Sequence, residues 1–226
     1  MAKNNKEMSE PKANVAEALS KTEMFFEKNK KTIGYVAGGI IVVAALIYAW
    51  YSLIYSPKQK EAVDQLFVAE RYFRLDSFNL ALNGDGNSLG FAQVIEKYGK
   101  KAGNAAYFDA GICCLRLGDN DKAIDYLKSY STNDNIMKAR AKAAIGDAMV
   151  NKGEIAASVS YFEEAANISN NIFSAGYLQK AGICYEELGQ FDKALAAYNR
   201  IKNEFPNSPE GMEIQKYISR VEASIK

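Results

Sequence analysis

The chain has 226 residues, 28 Lys+Arg against 27 Asp+Glu, and no histidine. A near-neutral balance leaves no electrostatic footprint for nucleic acid, and the missing imidazole removes the commonest general base and the commonest metal ligand. No G-x-x-x-x-G-K-[ST], G-x-S-x-G or H-E-x-x-H occurs, so neither an enzyme nor a catalytic residue, metal, cofactor or small-molecule substrate is expected.

Residues 1–31 carry seven lysines and five glutamates, net +2. Val15, Leu19, Thr22 and Phe26 recur at helical spacing, which predicts a short amphipathic helix running into the next segment. That segment, 32–56, contains 23 consecutive uncharged residues from Ile33 to Tyr55. As a helix the run is roughly 34 Å long, enough for a bilayer core of about 30 Å. Trp50, Tyr51 and Tyr55 at its end suit an interfacial aromatic belt. A cleaved signal peptide does not fit, because 31 residues precede the core and the small residues Val43 and Ala45 lie mid-span. Four lysines in Lys21–Lys31 face two in Ser56–Leu66. The positive-inside bias therefore predicts a single-pass inner-membrane protein with a cytoplasmic amino terminus and its large remainder periplasmic.

Residues 58–226 hold 21 Lys+Arg and 22 Asp+Glu, net −1, a length that makes one domain with a good core. Residues 57–103 read as a degenerate helical hairpin. Ser56-Pro57 is expected to cap a helix, Leu66, Ala69, Phe73 and Leu80 continue an apolar stripe, and Phe91, Ile95 and Tyr98 mark a second helix. Between them Asn83, Asp85 and Asn87 alternate like the start of a calcium loop, but Ser88 and Val94 stand where glycine and glutamate are needed, so a turn is expected.

Over 104–207 the chain repeats. Aligning Gly111, Gly146 and Gly182 also aligns Gly118, Gly153 and Gly189, with offsets of 35 and 36. Such a period means stacked helical hairpins. The first glycine of each pair lies mid-helix, where it costs about 1 kcal/mol against alanine and so must serve close helix approach. Each second glycine falls where the helix must reverse. Around them run Tyr107, Ala110, Cys114, Ala123, Leu127 and Tyr130 in the first copy, Ile145, Met149, Phe162 and Ala165 in the second, and Leu178, Ala181, Tyr185, Ala194, Tyr198, Ile201 and Pro206 in the third. These residues resemble the tetratricopeptide repeat. Ser158 and Lys142 replace the usual alanine and aromatic, which predicts looser packing in the middle copy. A last helix over 208–226, with Met212, Ile214, Tyr217, Ile218, Val221 and Ile225, is expected to cap the array. The fold class is thus all-α: one transmembrane helix, then an α-solenoid of tetratricopeptide-like hairpins with a carboxyl-terminal capping helix. Cys113, Cys114 and Cys184 read as small buried thiols.

The repeat resemblance implies a groove lined by the first helix of each hairpin. It places Phe108, Ile112, Leu115 and Arg116 there from the first clear copy, Arg140, Ala143, Asp147, Val150 and Asn151 from the second, and Gln179, Ile183, Glu186 and Glu187 from the third. That surface is apolar at one end and acidic at the other, suited to an extended, mixed-character peptide. Phe25-Phe26 before the span, Trp50 and Tyr51 at its end, and repeats beyond it together resemble the ancillary subunit of the bacterial Sec translocon. This resemblance implies help in secreted-protein translocation or chaperone handover, with the translocon channel, a membrane-bound periplasmic chaperone of the prolyl isomerase kind and secreted clients as partners. Phe25, Phe26, Gly34, Gly38 and Gly39 are the expected contacts to a membrane partner, since small residues let membrane helices approach. The alternative is a structural scaffold subunit of another cell-envelope assembly.

Overall fold

The computed structural model describes residues 10–225, apart from the side chains of residues 10–22 and of Ser169. The stripe expected of Val15, Leu19 and Thr22 lies outside the described side chains. The chain divides into two units, Met1–Pro57 and Lys58–Lys226; no β-strand occurs among the described residues.

In the first unit α1 (Glu10–Trp50) runs for 41 residues, about 60 Å of helix. No break separates the lysine-rich start from the apolar run, so amphipathic segment and span form one helix. Ile40, Leu46 and Ile47 are each more than 60 % exposed. A helix apolar all round with nothing packed on it is long and apolar enough to cross a membrane. A π-helical turn, Tyr51–Tyr55, follows, in which Tyr55 stacks on Tyr51 at 5.5 Å and lies 5.7 Å from Trp50. Ser56 does not cap the next helix. Its angles are helical and its N–H bonds Tyr51 O, five residues back.

The second unit begins in α2 (Ser56–Arg74), followed by α3 (Phe78–Asn83) and α4 (Phe91–Tyr98). The expected stripe from Leu66 to Leu80 is interrupted: Asp76 turns left-handed at φ 54°, and Ala81 and Leu82 bury where Leu80 does not. Asp85 accepts from the N–H groups of Asn87 and Ser88 at 2.9 and 2.7 Å and from the Tyr72 hydroxyl at 2.8 Å. Those bonds close the turn between α3 and α4.

Three hairpins follow: α5 (Asn104–Leu117) with α6 (Asn120–Ser129), α7 (Asn135–Asn151) with α8 (Ile155–Ser169), and α9 (Ser174–Glu187) with α10 (Phe191–Glu204). Their turns are built alike. The N–H groups of Asp119, Glu154 and Gln190 each bond the carbonyl five residues back, on Cys114, Met149 and Tyr185, across a glycine at φ 83°, 79° and 69°. A left-handed residue at this point closes the helix and satisfies its last carbonyls, which is why glycine recurs there. Asp119 and Asp134 then cap α6 and α7 through their carboxylates.

Helix pairing rests on the other glycines. A Cβ at Gly111 would lie 2.6 Å from Leu127 Cγ, at Gly146 2.7 Å from Phe162 Cε1, and at Gly182 2.3 Å from Tyr198 Cε1. In each hairpin the second helix seats a large side chain on the first. The middle hairpin is not looser. Ser158 is fully buried with its hydroxyl donating to Ile155 O at 2.8 Å, while Lys142 lies over the Tyr161 ring and pairs with Glu164 at 2.6 Å.

Two apolar clusters form the core. One gathers Leu66, Phe91, Val94, Cys113, Cys114, Leu127 and Ile145; the other gathers Phe162, Leu178, Tyr198, Ile201, Ile214, Ile218 and Val221. α7 serves both, giving Ala141, Ala144 and Ile145 to the first and Ala139 and Ala143 to the second. The end is closed by α11 (Pro209–Ile225), which buries Ile214, Ile218 and Val221. Met212 and Ile225 point away from it into solvent.

Candidate functional site

α5, α7 and the start of α9 enclose a cleft of about 820 Å³, walled at one side by Phe73 of α2. Its apolar lining comes from Phe73, Phe108, Ile112, Leu115, Met137, Ala143, Ala144 and Tyr177, and its polar lining from Asp109, Arg116, Arg140, Asp147, Asn151 and Lys180. Beyond Phe108, Asp109 and Met137 a second hollow of about 490 Å³ shares those three residues and is rimmed by Asn104, Ser131, Thr132 and Asn133.

Charge in the cleft is unevenly neutralised. Lys180 Nζ holds both oxygens of Asp147 at 2.7 and 2.8 Å, so these two cancel. Arg116 and Arg140 have no carboxylate partner among the described residues; their guanidinium groups instead lie 5.9 Å from the Phe78 ring centre and 5.8 Å from that of Phe108. Such stacking orients a cation without discharging it. Asp109, about two helical turns before Arg116 on α5, is half-buried and accepts no hydrogen bond among the described residues. Burial first, then the Glu70 carboxylate, push its pKa up to about 6 against the pull of Arg140.

Eight of the groove positions expected from sequence line this cleft: Phe108, Ile112, Leu115, Arg116, Arg140, Ala143, Asp147 and Asn151. Phe108 does so mostly from below, being 6 % exposed under Tyr130 at 5.3 Å. Val150 packs instead on the second core cluster. Gln179, Ile183, Glu186 and Glu187 lie outside the cleft, and the acidic end expected from Glu186 is neutralised. Arg220 of α11 grips both Glu186 oxygens at 2.9 and 2.7 Å while the Tyr198 hydroxyl donates to it at 2.5 Å.

Sequence reasoning missed Asp109, Ala144 and Lys180, which occupy one register, two residues before each mid-helix glycine. It also missed Phe73, Met137 and Tyr177. Down the array the exposed stripe moves toward the amino-terminal half of the first helix, from Arg116 on α5 to Tyr177 and Lys180 on α9. A per-repeat rotation of a solenoid does this, and a fixed template cannot anticipate it.

The cysteines carry no chemistry here. All three are free and buried, and burial pushes the Cys113 thiol up to about 12 and Cys114 to about 11, leaving no nucleophilic thiolate. On the first unit Phe25 and Phe26 are 61 % and 55 % exposed, and a Cβ at Gly34, Gly38 or Gly39 would meet open space beyond the helix's own backbone.

Tetratricopeptide-repeat family models match residues 91–135 and 177–208. Over those two stretches the chain matches the tetratricopeptide repeat. Nearly all of α7 and α8 lies between the two matched stretches. Repeats of this kind make a protein-interaction module. No curated protein matches the chain. Among solved structures it is similar to one described as the crystal structure of MamA protein, with a TM-score of 0.52 and 17 % identity over 74 % of this chain and 90 % of that one. At that identity the likeness shows the fold alone.

Proposed function

We propose that this protein is a membrane-anchored module that holds an extended polypeptide in the cleft between α5, α7 and α9, beside the protein-export channel of the inner membrane. The observation that carries the reading is the cleft itself. It is open, runs across three successive first helices and has a mixed apolar and polar lining, which suits a peptide in extended form. The lysine bias around the span supports a cytoplasmic amino terminus with the repeats in the periplasm. Docking to the channel or to a membrane-bound chaperone falls to residues 1–55, through Phe25, Phe26 and the open glycine face of Gly34, Gly38 and Gly39.

Replacing residues 33–55 by an unrelated apolar helix separates the two roles. Co-purification with channel subunits should be lost while peptide binding persists, and Ile112→Ser with Leu115→Ser should do the reverse. Full co-purification of the swapped chain would move docking to the repeats and favour the scaffold reading.

A further inference from the structure

Resting on that groove reading, we infer that the cleft selects segments in which acidic side chains alternate with bulky apolar ones. Two cations face the cleft unspent. Arg116 and Arg140 are exposed, each laid against a phenylalanine ring, and neither has a carboxylate within ion-pair distance among the described residues. Elsewhere in the array arginines are used differently: Arg200 binds Glu204 at 3.0 Å and Arg220 binds Glu186 at 2.7 Å. A guanidinium stacked on a ring keeps its N–H edge available, and that edge matches a carboxylate in a bidentate fork.

The remaining charges offset this pair only in part, since Asp109 feels Arg140 but nothing among the described residues answers Arg116. Asp147 is taken up by Lys180, which leaves Asp109 as the cleft's one unpaired acid among the described residues. In the same cleft the walls of Ile112, Leu115 and Tyr177 offer apolar contact, which a purely acidic segment would leave unused. The second hollow continues past Asp109 to Thr132 and Asn133, giving length for an extended chain and polar groups for its backbone.

The test uses the full chain in lipid nanodiscs and end-blocked peptides of one length, so that only side-chain carboxylates are present. Three peptides share a Leu/Phe pattern, with Glu, Gln or Lys at the intervening positions, and binding is read by fluorescence anisotropy. The Glu peptide should bind about tenfold more tightly than the Gln peptide, the equivalent of one good charged contact, and the Lys peptide least. In the Arg116→Gln, Arg140→Gln variant the Glu and Gln peptides should converge in affinity. Equal binding of Glu and Lys peptides, or a Glu preference that survives in the variant, overturns the charge selectivity and leaves the groove reading standing. Failure of all three peptides to bind overturns the groove reading itself.

Discussion

Gly182→Ala adds one methyl at the tightest helix contact of the array. The new carbon would sit 2.3, 2.7 and 2.9 Å from Cε1, Cζ and Cδ1 of Tyr198, where carbon atoms prefer 3.5–4.0 Å. The ring must therefore retreat by about 1 Å, yet it is fully buried and its hydroxyl is held by Glu186, which Arg220 holds in turn. Overpacking of this kind costs about 1–3 kcal/mol, while alanine returns about 1 kcal/mol of helix propensity. At 2.3 Å against a pinned ring the upper part of that cost applies, so a net loss of about 1–2 kcal/mol is expected, lowering Tm by about 3–6 °C for a domain of this size. The assay is thermal and urea unfolding of residues 58–226, which contain every residue of both core clusters. Gly111→Ala should cost less, because the nearest atom it meets, Leu127 Cγ, lies at 2.6 Å rather than 2.3 Å. A Gly182→Ala domain as stable as the parent, or more so, would refute the reasoning, since the ring would then be free to withdraw.

Asp109→Asn should stabilise the domain above pH 6 and leave it unchanged near pH 4. The folded carboxyl, raised from 3.8 to about 6, holds its proton more tightly than the unfolded one, so its contribution favours folding at low pH and is lost as pH rises through that window. The shift corresponds to about 3 kcal/mol at most, reduced by part exposure to about 1–2 kcal/mol, measurable by urea unfolding across pH; an effect independent of pH would contradict it. Arg220→Ala should show the opposite profile. Burial opposes ionisation of Glu186, but the bonds from Arg220 and Tyr198 outweigh it and lower its pKa, so the pair stabilises by about 1 kcal/mol above pH 4.5 and the difference between variant and parent should fade as pH falls. For topology, protease added to spheroplasts should digest the repeats; protection until lysis would reverse the orientation.

The periodic parts of the fold were legible because they obey local rules. Gly118, Gly153 and Gly189 announced three identical turns, and Gly111, Gly146 and Gly182 announced three close contacts, since each is a glycine that the backbone geometry itself demands. The long apolar helix was equally plain, since 23 residues without a charge are long enough to cross a bilayer core. What failed to show was set by tertiary context. Asp76 turns the chain between α2 and α3 without a glycine to mark it, and Ser158 keeps its core position through contacts of its hydroxyl with Ile155 O and Cys184 Sγ rather than loosening the repeat.

The cleft was half legible for a related reason. On α5 and α7 the template positions Ile112, Leu115, Arg116 and Asp147 do line it. On α9 the same positions give Glu186, which a capping helix far along the chain neutralises, while Tyr177 and Lys180 take over the lining. Pairing of Lys180 with Asp147, 33 residues apart, decides which charges remain for a ligand, and no spacing rule contains it.

Placing a photo-crosslinking residue at Ile112 in the cleft, and in a separate variant at the exposed Ser160 of α8, tests the central claim most directly when the full chain is irradiated in native membranes. Polypeptide adducts from Ile112, few from Ser160, and loss of the Ile112 adducts in competition with the Glu-containing peptide are expected. Adducts from Ser160 with none from Ile112 would contradict a peptide-holding cleft.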